Sequence, residues 1–484
     1  MTDVSEGISL RTILKRATAV LFVTGLLALF SGALYLRLNG PPRSVSEPFD
    51  VQSFASIYVP TETNAVVLFR QAAPKFTDQH AFVAGRRSTE SANFYDNYDA
   101  SLADWTRANK DVRDWLELNR PAMELWKEGS QANDALDVPP RELTIASDSG
   151  LTMKTRSFAR LAVLEASRLK SAGRLMAAWE WYRAALRTSR LIAMHTGSTP
   201  RLVGAGVYSM AAEAITPWSA TSELTAQDLR RALRDVLAIE KMTPPTSDFL
   251  KAEYLAVWNS TDWAQSQLGS VGTVFQLFGA SEKARRSLNL IFANWLSQAS
   301  LPRFKRTPIH AGKLPLYELE SLPTTIPNPP SPDEIQAACG MLARFRPDGM
   351  LLGFILPNSM IVIDALDREQ ARRAALILTL ALQLYDREHG DLPDDLQALV
   401  KAGYLPSIPP DPFGKGEAFH YRRNDNRAEG GLLWSVWTDG VDQQGKVCVD
   451  QNRPDSTGDE CFPIRLPSAG NHHANKADSR AVQP

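Results

Sequence analysis

The sequence predicts a mainly α-helical protein: an N-terminal transmembrane helix, an irregular, repeat-like α-helical domain, and a small α+β module near the C-terminal end. Three observations predict it. Ala17 to Leu36 is an uncharged apolar run of about twenty residues, long enough at ~1.5 Å rise per residue to cross a hydrocarbon core of ~30 Å. Most of the chain after it places apolar side chains at helical spacing. Only after His389-Gly390 do short strand-like segments separated by Asn, Asp and Gly appear.

The first run sets the expected topology. Arg11, Lys15 and Arg16 crowd its front, while Asp3 and Glu6 lie further off, so residues 1–16 read as a cytoplasmic leader and 17–36 as the span. The expected location is the inner (cytoplasmic) membrane, single pass, with the bulk of the chain extracytoplasmic. Arg37 and Arg43 on the far side weaken this bias without removing it. A cleaved signal peptide is the competing reading, with Ser31-Gly32-Ala33 as its small-residue site.

Composition narrows the function classes. The 53 Lys+Arg and 54 Asp+Glu residues leave a formal net charge of −1, so no nucleic-acid partner is called for. The expected partners are the lipid bilayer, through Ala17 to Leu36, and other envelope proteins. A length of 484 residues argues for more than one unit, since single cores rarely grow past ~250–300 residues. The cysteines are Cys339, Cys448 and Cys461, too few for a disulfide scaffold. Cys448 and Cys461 are close enough in sequence to bridge in an oxidising compartment, the alternative being two free thiols. Cys339 lies in an apolar helical context and reads as packed.

In chain order, residues 37–60 carry Gly40-Pro41-Pro42, Pro48 and Pro60 and form a spacer. The helical domain spans 61–300. Within it Leu102, Trp105, Val112 and Leu116 fall on one helical face, widened by Trp115 and Trp126, and read as core. Phe158 to Lys170 and Leu175 to Met194 form a helical hairpin turning at Ala172-Gly173. Further helical patterns follow at Leu202–Ile215, Ala226–Ile239, Phe249–Leu268 and Glu282–Leu296. Residues 301–332 are a Pro-rich strap, in which helix is excluded over most of the length. Residues 333–366 are a helical continuation, 367–447 the α+β module, and 448–484 a tail. In the module, Asp367 to Glu388 is a helix, Asp394 to Ala402 a short one, and Ala418–Arg422 with Leu432–Trp437 a hairpin.

Two stretches resemble known families. Ala178, Trp179, Trp181, Tyr182, Ala185 and Leu186, read around Gly173, resemble the second half of a tetratricopeptide repeat, although Arg168 stands where that family prefers a small residue. The series LALQLYDREHGDLP, DLQALVKAGYLP, PPDPFGKG, a strand ending in Tyr421, and SVWTDG at Ser435 to Gly440 resembles the globular domain of the major pseudopilin of type II secretion systems. The whole chain also looks like a set of uncharacterised bacterial membrane-anchored proteins carrying that module. The pseudopilin resemblance implies a calcium ion held by Asp439 and Asp442, completed by carbonyls, Asp450 or water. The tight-turn reading of Asp439-Gly440 stands beside it, and Trp437 replaces a family glycine. No acidic residue lies in Ala17 to Leu36, so a processed filament subunit is not expected.

No catalytic residues and no organic cofactor are assigned. The seven histidines show no metal-ligand spacing beyond the adjacent pair His472-His473, and no GxSxG, P-loop or GxGxxG is present. Asp386, Glu388, Asp391, Asp394 and Asp395 crowd one junction as solvated turns do. The expected function is a non-catalytic scaffold or interaction protein of the cell envelope, linked to type II secretion or pilus-type machinery. An envelope hydrolase with its site in the helical body is the alternative.

Overall fold

The computed structural model describes residues 10–38, 46–85, 93–147, 150–267, 269, 280–306, 359–449 and 457–466. Most of the strap, the continuation up to residue 358 with Cys339, and His472-His473 lie outside these. Two compact units divide the chain: Met1–Val51, Val257–Trp295 and Thr307–Pro357 form one, and Gln52–Ala256, Leu296–Arg306 and Asn358–Pro484 the other.

The first helix, α1, runs over Leu10–Leu38. Among the described residues, no helix is long and apolar enough to cross a membrane. The transmembrane helix at Ala17 to Leu36, and the single-pass inner-membrane location drawn from it, are overturned.

The second unit opens with α2 (Val51–Ala55), α3 (Ala65–Ala72), α4 (Gln79–Ala84), α5 (Phe94–Ala103) and α6 (Lys110–Gly129). Each boundary has a local cause. Asn64, Asp78 and Asn109 accept from Val66 N, Ala81 N and Val112 N, capping α3, α4 and α6. Leu102 therefore belongs to α5 and Val112 and Leu116 to α6, with Trp105 in a single 3-10 turn between them. The expected continuous face is divided by Asp104 and Asn109, whose side chains cap the elements after them. Trp126 stacks on Phe69 at 4.4 Å and on Phe158 at 5.6 Å, with Phe76 edge-on at 5.4 Å. Each such pair contributes about 0.5–1.5 kcal/mol beyond burial.

Next come α7 (Leu151–Ser171), α8 (Leu175–Leu191), α9 (Ser198–Ser219) and α10 (Ala226–Glu240). α7 and α8 form the expected hairpin, turning at Gly173, whose φ of 71° suits glycine. Arg168 grips Glu165 through two 2.7 Å bonds. Trp179 stacks on Trp218 at 5.1 Å and donates its indole N–H to Asp235 at 2.9 Å. Gly204 lets α9 approach α8, because a Cβ there would lie 2.5 Å from the Ser189 carbonyl oxygen. Thr225 and Asp228 close a capping box on α10.

α11 (Thr246–Gln267) begins in this unit and ends in the other, which also holds most of α12 (Ala280–Ala299). Val257, Leu288, Ile291, Phe292 and Trp295 are buried there.

The long helix α13 (Ser359–His389) packs on α9 and α10, with α14 (Gln397–Lys401) after it. Asp367, where the module was expected to start, lies inside α13 and pairs with Arg306 at 2.7 Å. Strands β1 (His420–Arg423), β2 (Gly431–Ser435) and β3 (Glu460–Ile464) form an antiparallel sheet in that order. β3 lies within the stretch read as a tail; its Pro463 hides the strand signal but fits an edge strand. One buried cluster runs from Ala65 to Ile464, so α13 and the sheet share the core of the helical body.

Candidate functional site

The sequence places Arg156 and Arg160 on α7, and Arg368 and Arg372 on α13, each pair one helical turn apart. α9 packs on both of these helices. Together with α4 and α5 they wall a cleft of about 1010 Å³ within the second unit. Gly206 of α9 lies in its wall with open space where a side chain would project. Apolar groups also reach the opening: Met153 is 61% exposed and Tyr95 45%.

The basic side chains differ in what already holds them. Arg160 donates to Gln79 Oε1 at 3.1 Å, Lys154 to the Phe76 carbonyl at 3.3 Å, and Arg368 to the Asp364 carbonyl at 3.4 Å. Arg372 bridges two elements, donating to Glu460 of β3 at 3.0 Å and to Ser209 of α9 at 3.3 Å. Gln79 is buried, and its Nε2 has no partner among the described residues. A buried N–H without an acceptor costs ~1–3 kcal/mol, and Gln79 carries that cost in the cleft wall.

Beneath the cleft lies a buried ionic layer. Glu369 lines the cleft and pairs with the almost fully buried Arg190, whose guanidinium stacks on the Tyr208 ring at 4.4 Å. Arg373 of α13 pairs with Glu240 of α10 and donates to Thr243 at 2.8 Å. Arg201 donates to the Pro244 carbonyl at 2.9 Å while its Nε and Nη1 have no partner among the described residues. Desolvation pushes Arg201 down to about 10, against the pull of Glu369. Desolvation opposes the charge on Glu369 too, yet Arg190, Arg373 and Arg201 together hold it below the usual carboxyl range.

Nothing in the cleft assembles a nucleophile with a base. Ser209 Oγ donates to the Ala205 carbonyl at 3.1 Å and Ser157 Oγ to the Met153 carbonyl at 3.5 Å; neither hydroxyl is bonded to His80. The carboxylates at the α13–sheet junction are taken by cations or caps. Asp386 pairs with Arg427 at 2.6 Å, Glu388 with Arg230 and the Tyr404 hydroxyl, and Asp394 with Arg423 at 3.1 Å. Asp395 caps Ala398 N at 3.0 Å.

Asp439 and Asp442 lie in the loop after β2, away from the cleft-lining residues. Asp439 accepts from Val441 N at 3.0 Å, Gln443 Nε2 at 3.1 Å and Gly458 N at 3.3 Å. Asp442 accepts from the Trp434 indole at 2.9 Å and Gln444 N at 2.7 Å. Desolvation works to raise Asp442, but those two donors hold it low. Neighbouring Asp459 is raised by desolvation, with Asp442 and Asp439 adding repulsion. Both donors to Asp442 go to its Oδ1, and its Oδ2 stands 3.9 Å from His420 Nδ1. Among the described residues no group of three His, Cys, Asp or Glu side chains is placed to hold a metal. Cys448 and Cys461 are joined in a disulfide with Cα atoms 5.6 Å apart, fastening this loop to β3.

The cleft residues carry no motif. An arginine pair at i,i+4 on an amphipathic helix has the same pattern as a solvated face, so Arg156, Arg160, Arg368 and Arg372 become distinctive only once α9 brings α7 and α13 together. Comparison with protein-family models, with curated proteins and with solved structures gives no match for this chain.

Proposed function

We propose that the protein is a non-catalytic interaction protein whose helical body receives a partner in the cleft between α4, α5, α7, α9 and α13. The observation that carries this reading is the cleft itself: large, open, and lined by positioned side chains that include a buried amide donor without an acceptor. Large concave sites with a few convergent polar groups are the usual seats of ligands, and the hydroxyls here are turned to backbone carbonyls rather than to a base. The motif series from Asp367 to Lys446 supports reading α13 and the sheet as a pseudopilin-like head used for docking. The core it shares with the helical body makes head and cleft one rigid piece in this proposal.

The test is site-specific photocrosslinking in the native host. A benzoylphenylalanine at Met153, in the cleft, should form one reproducible protein adduct that disappears in the Gly206→Trp background, where an indole fills the opening. The same probe at Leu118, exposed on α6 outside the cleft, should not form it. No Met153 adduct, or one indifferent to Gly206→Trp, would sink the reading.

A further inference from the structure

The charge on the cleft is unevenly spent. Five basic side chains line it, Lys154, Arg156, Arg160, Arg368 and Arg372, against four acidic ones, Asp78, Asp99, Glu213 and Glu369. Asp78 is committed to capping α4 and Glu369 to Arg190. Among the described residues, the one of these cations matched by a carboxylate is Arg372, with Glu460. Arg156, Arg160 and Arg368 are exposed with no carboxylate partner among the described residues, which leaves guanidinium groups on both helices that flank α9. Guanidinium forks suit carboxylates through paired N–H donors.

We propose that the cleft binds an acidic peptide segment of a partner protein, its carboxylates taken by Arg156, Arg160 and Arg368. This rests on reading the cleft as the partner-receiving surface. A peptide fits better than a small anion because the volume lies at the upper end of small-ligand pockets, ~300–1,000 Å³, and because Met153 and Tyr95 offer apolar contact beside the charges. It fits better than a nucleic acid because a peptide can space its carboxylates away from Asp99 and Glu213, which a continuous phosphate backbone cannot.

Fluorescence anisotropy with the full chain tests this, using three labelled dodecapeptides that share leucine and tyrosine positions and carry Glu, Gln or Lys at the others. The Glu peptide should bind at least about tenfold more tightly than the Lys peptide and weaken as salt rises. Arg156→Glu and Arg368→Glu should each weaken it about tenfold, whereas Arg141→Glu, outside the cleft, should leave it unchanged. Equal binding of the Lys peptide, or indifference to both arginine reversals, would overturn the inference. Inorganic phosphate or citrate displacing the Glu peptide at equimolar concentration would overturn it in favour of a small-anion site. A Gln peptide that binds as tightly as the Glu peptide and is lost in Gly206→Trp would overturn the acidic assignment yet leave the partner-receiving cleft standing. No binding by any of the three also overturns it.

Discussion

Glu369 and Glu460 are both buried glutamates facing arginines, Glu369 beneath the cleft and Glu460 against Arg372 of its wall, and their carboxyls are driven in opposite directions. Desolvation acts on each. Glu369, within the helical body, has Arg190, Arg373 and Arg201 around it and is held below the usual range. Glu460, on the sheet, is pushed up to about 7, because burial outweighs the attraction of Arg372 and Arg368 and Asp411 adds repulsion. Its Oε2 has no hydrogen-bond partner among the described residues. The number of guanidinium groups delivered by packed helices decides whether a buried carboxyl keeps its charge. The helical body is thus built around fixed charge, and the sheet around one that can be lost.

The largest expected effect comes from breaking the fixed site. Arg190→Met removes the partner of Glu369 and the cation on Tyr208, and should destabilise by about 3–5 kcal/mol, the usual cost of leaving one member of a buried pair. Urea unfolding at pH 7 measures it. Combining Arg190→Met with Glu369→Leu should recover much of that loss, since an apolar pair of similar volume tolerates burial. A double variant no better than the single one would mean that packing, not charge, dominates the layer.

The second effect sharpens the comparison through pH. Glu460 has a folded-state value of about 7 against 4.5 for a free glutamate, so the folded state binds its proton more tightly. Stability from this group is full below the unfolded value and lost as pH rises through 7, a change of about 3 kcal/mol at most. Glu369, shifted the other way, contributes stability above the ordinary carboxyl range that is lost as pH falls below it. Glu460→Gln should therefore flatten the decline in unfolding free energy between pH 5 and pH 8. An unchanged slope would place the titrating group elsewhere.

The sequence made the helices legible because their causes are local. Apolar spacing and the Gly173 turn need no distant partner; the caps at Asn64, Asp78 and Asn109 are equally local but carry no reading from the sequence. At α1 the uncharged run reads as a span, whereas among the described residues no helix is long and apolar enough to cross a membrane. β3 was hidden because Pro463 and a cysteine obscure its alternation, and because strand pairing is fixed by β2 rather than by β3 alone. The cleft was illegible for a different reason: Gln79, Arg156, Gly206 and Arg372 come from four helices, and no spacing rule links them. The motif pieces PPDPFG and SVWTDG were visible, but not that buried Asp411 ties them, accepting from Ser435 Oγ at 2.8 Å and Val436 N at 3.0 Å.

Trp437 gives the smallest and most selective test. Its φ of 54° lies in the left-handed region that a bulky residue rarely adopts. Trp437→Gly should relieve ~1–2 kcal/mol of backbone strain while losing a buried indole packed on Phe413 at 5.0 Å, a truncation of ~3–5 kcal/mol. The net expectation is a loss of about 2 kcal/mol. Trp437 lies beyond the Ser435–Glu460 pairing of β2 with β3 and is not among the groups that shift Glu460. The loss should therefore be equal at pH 5 and pH 8, in contrast to Glu460→Gln. A loss that grows with pH would show that the turn positions Glu460, making the sheet's charge as dependent on packing as that of the helical body.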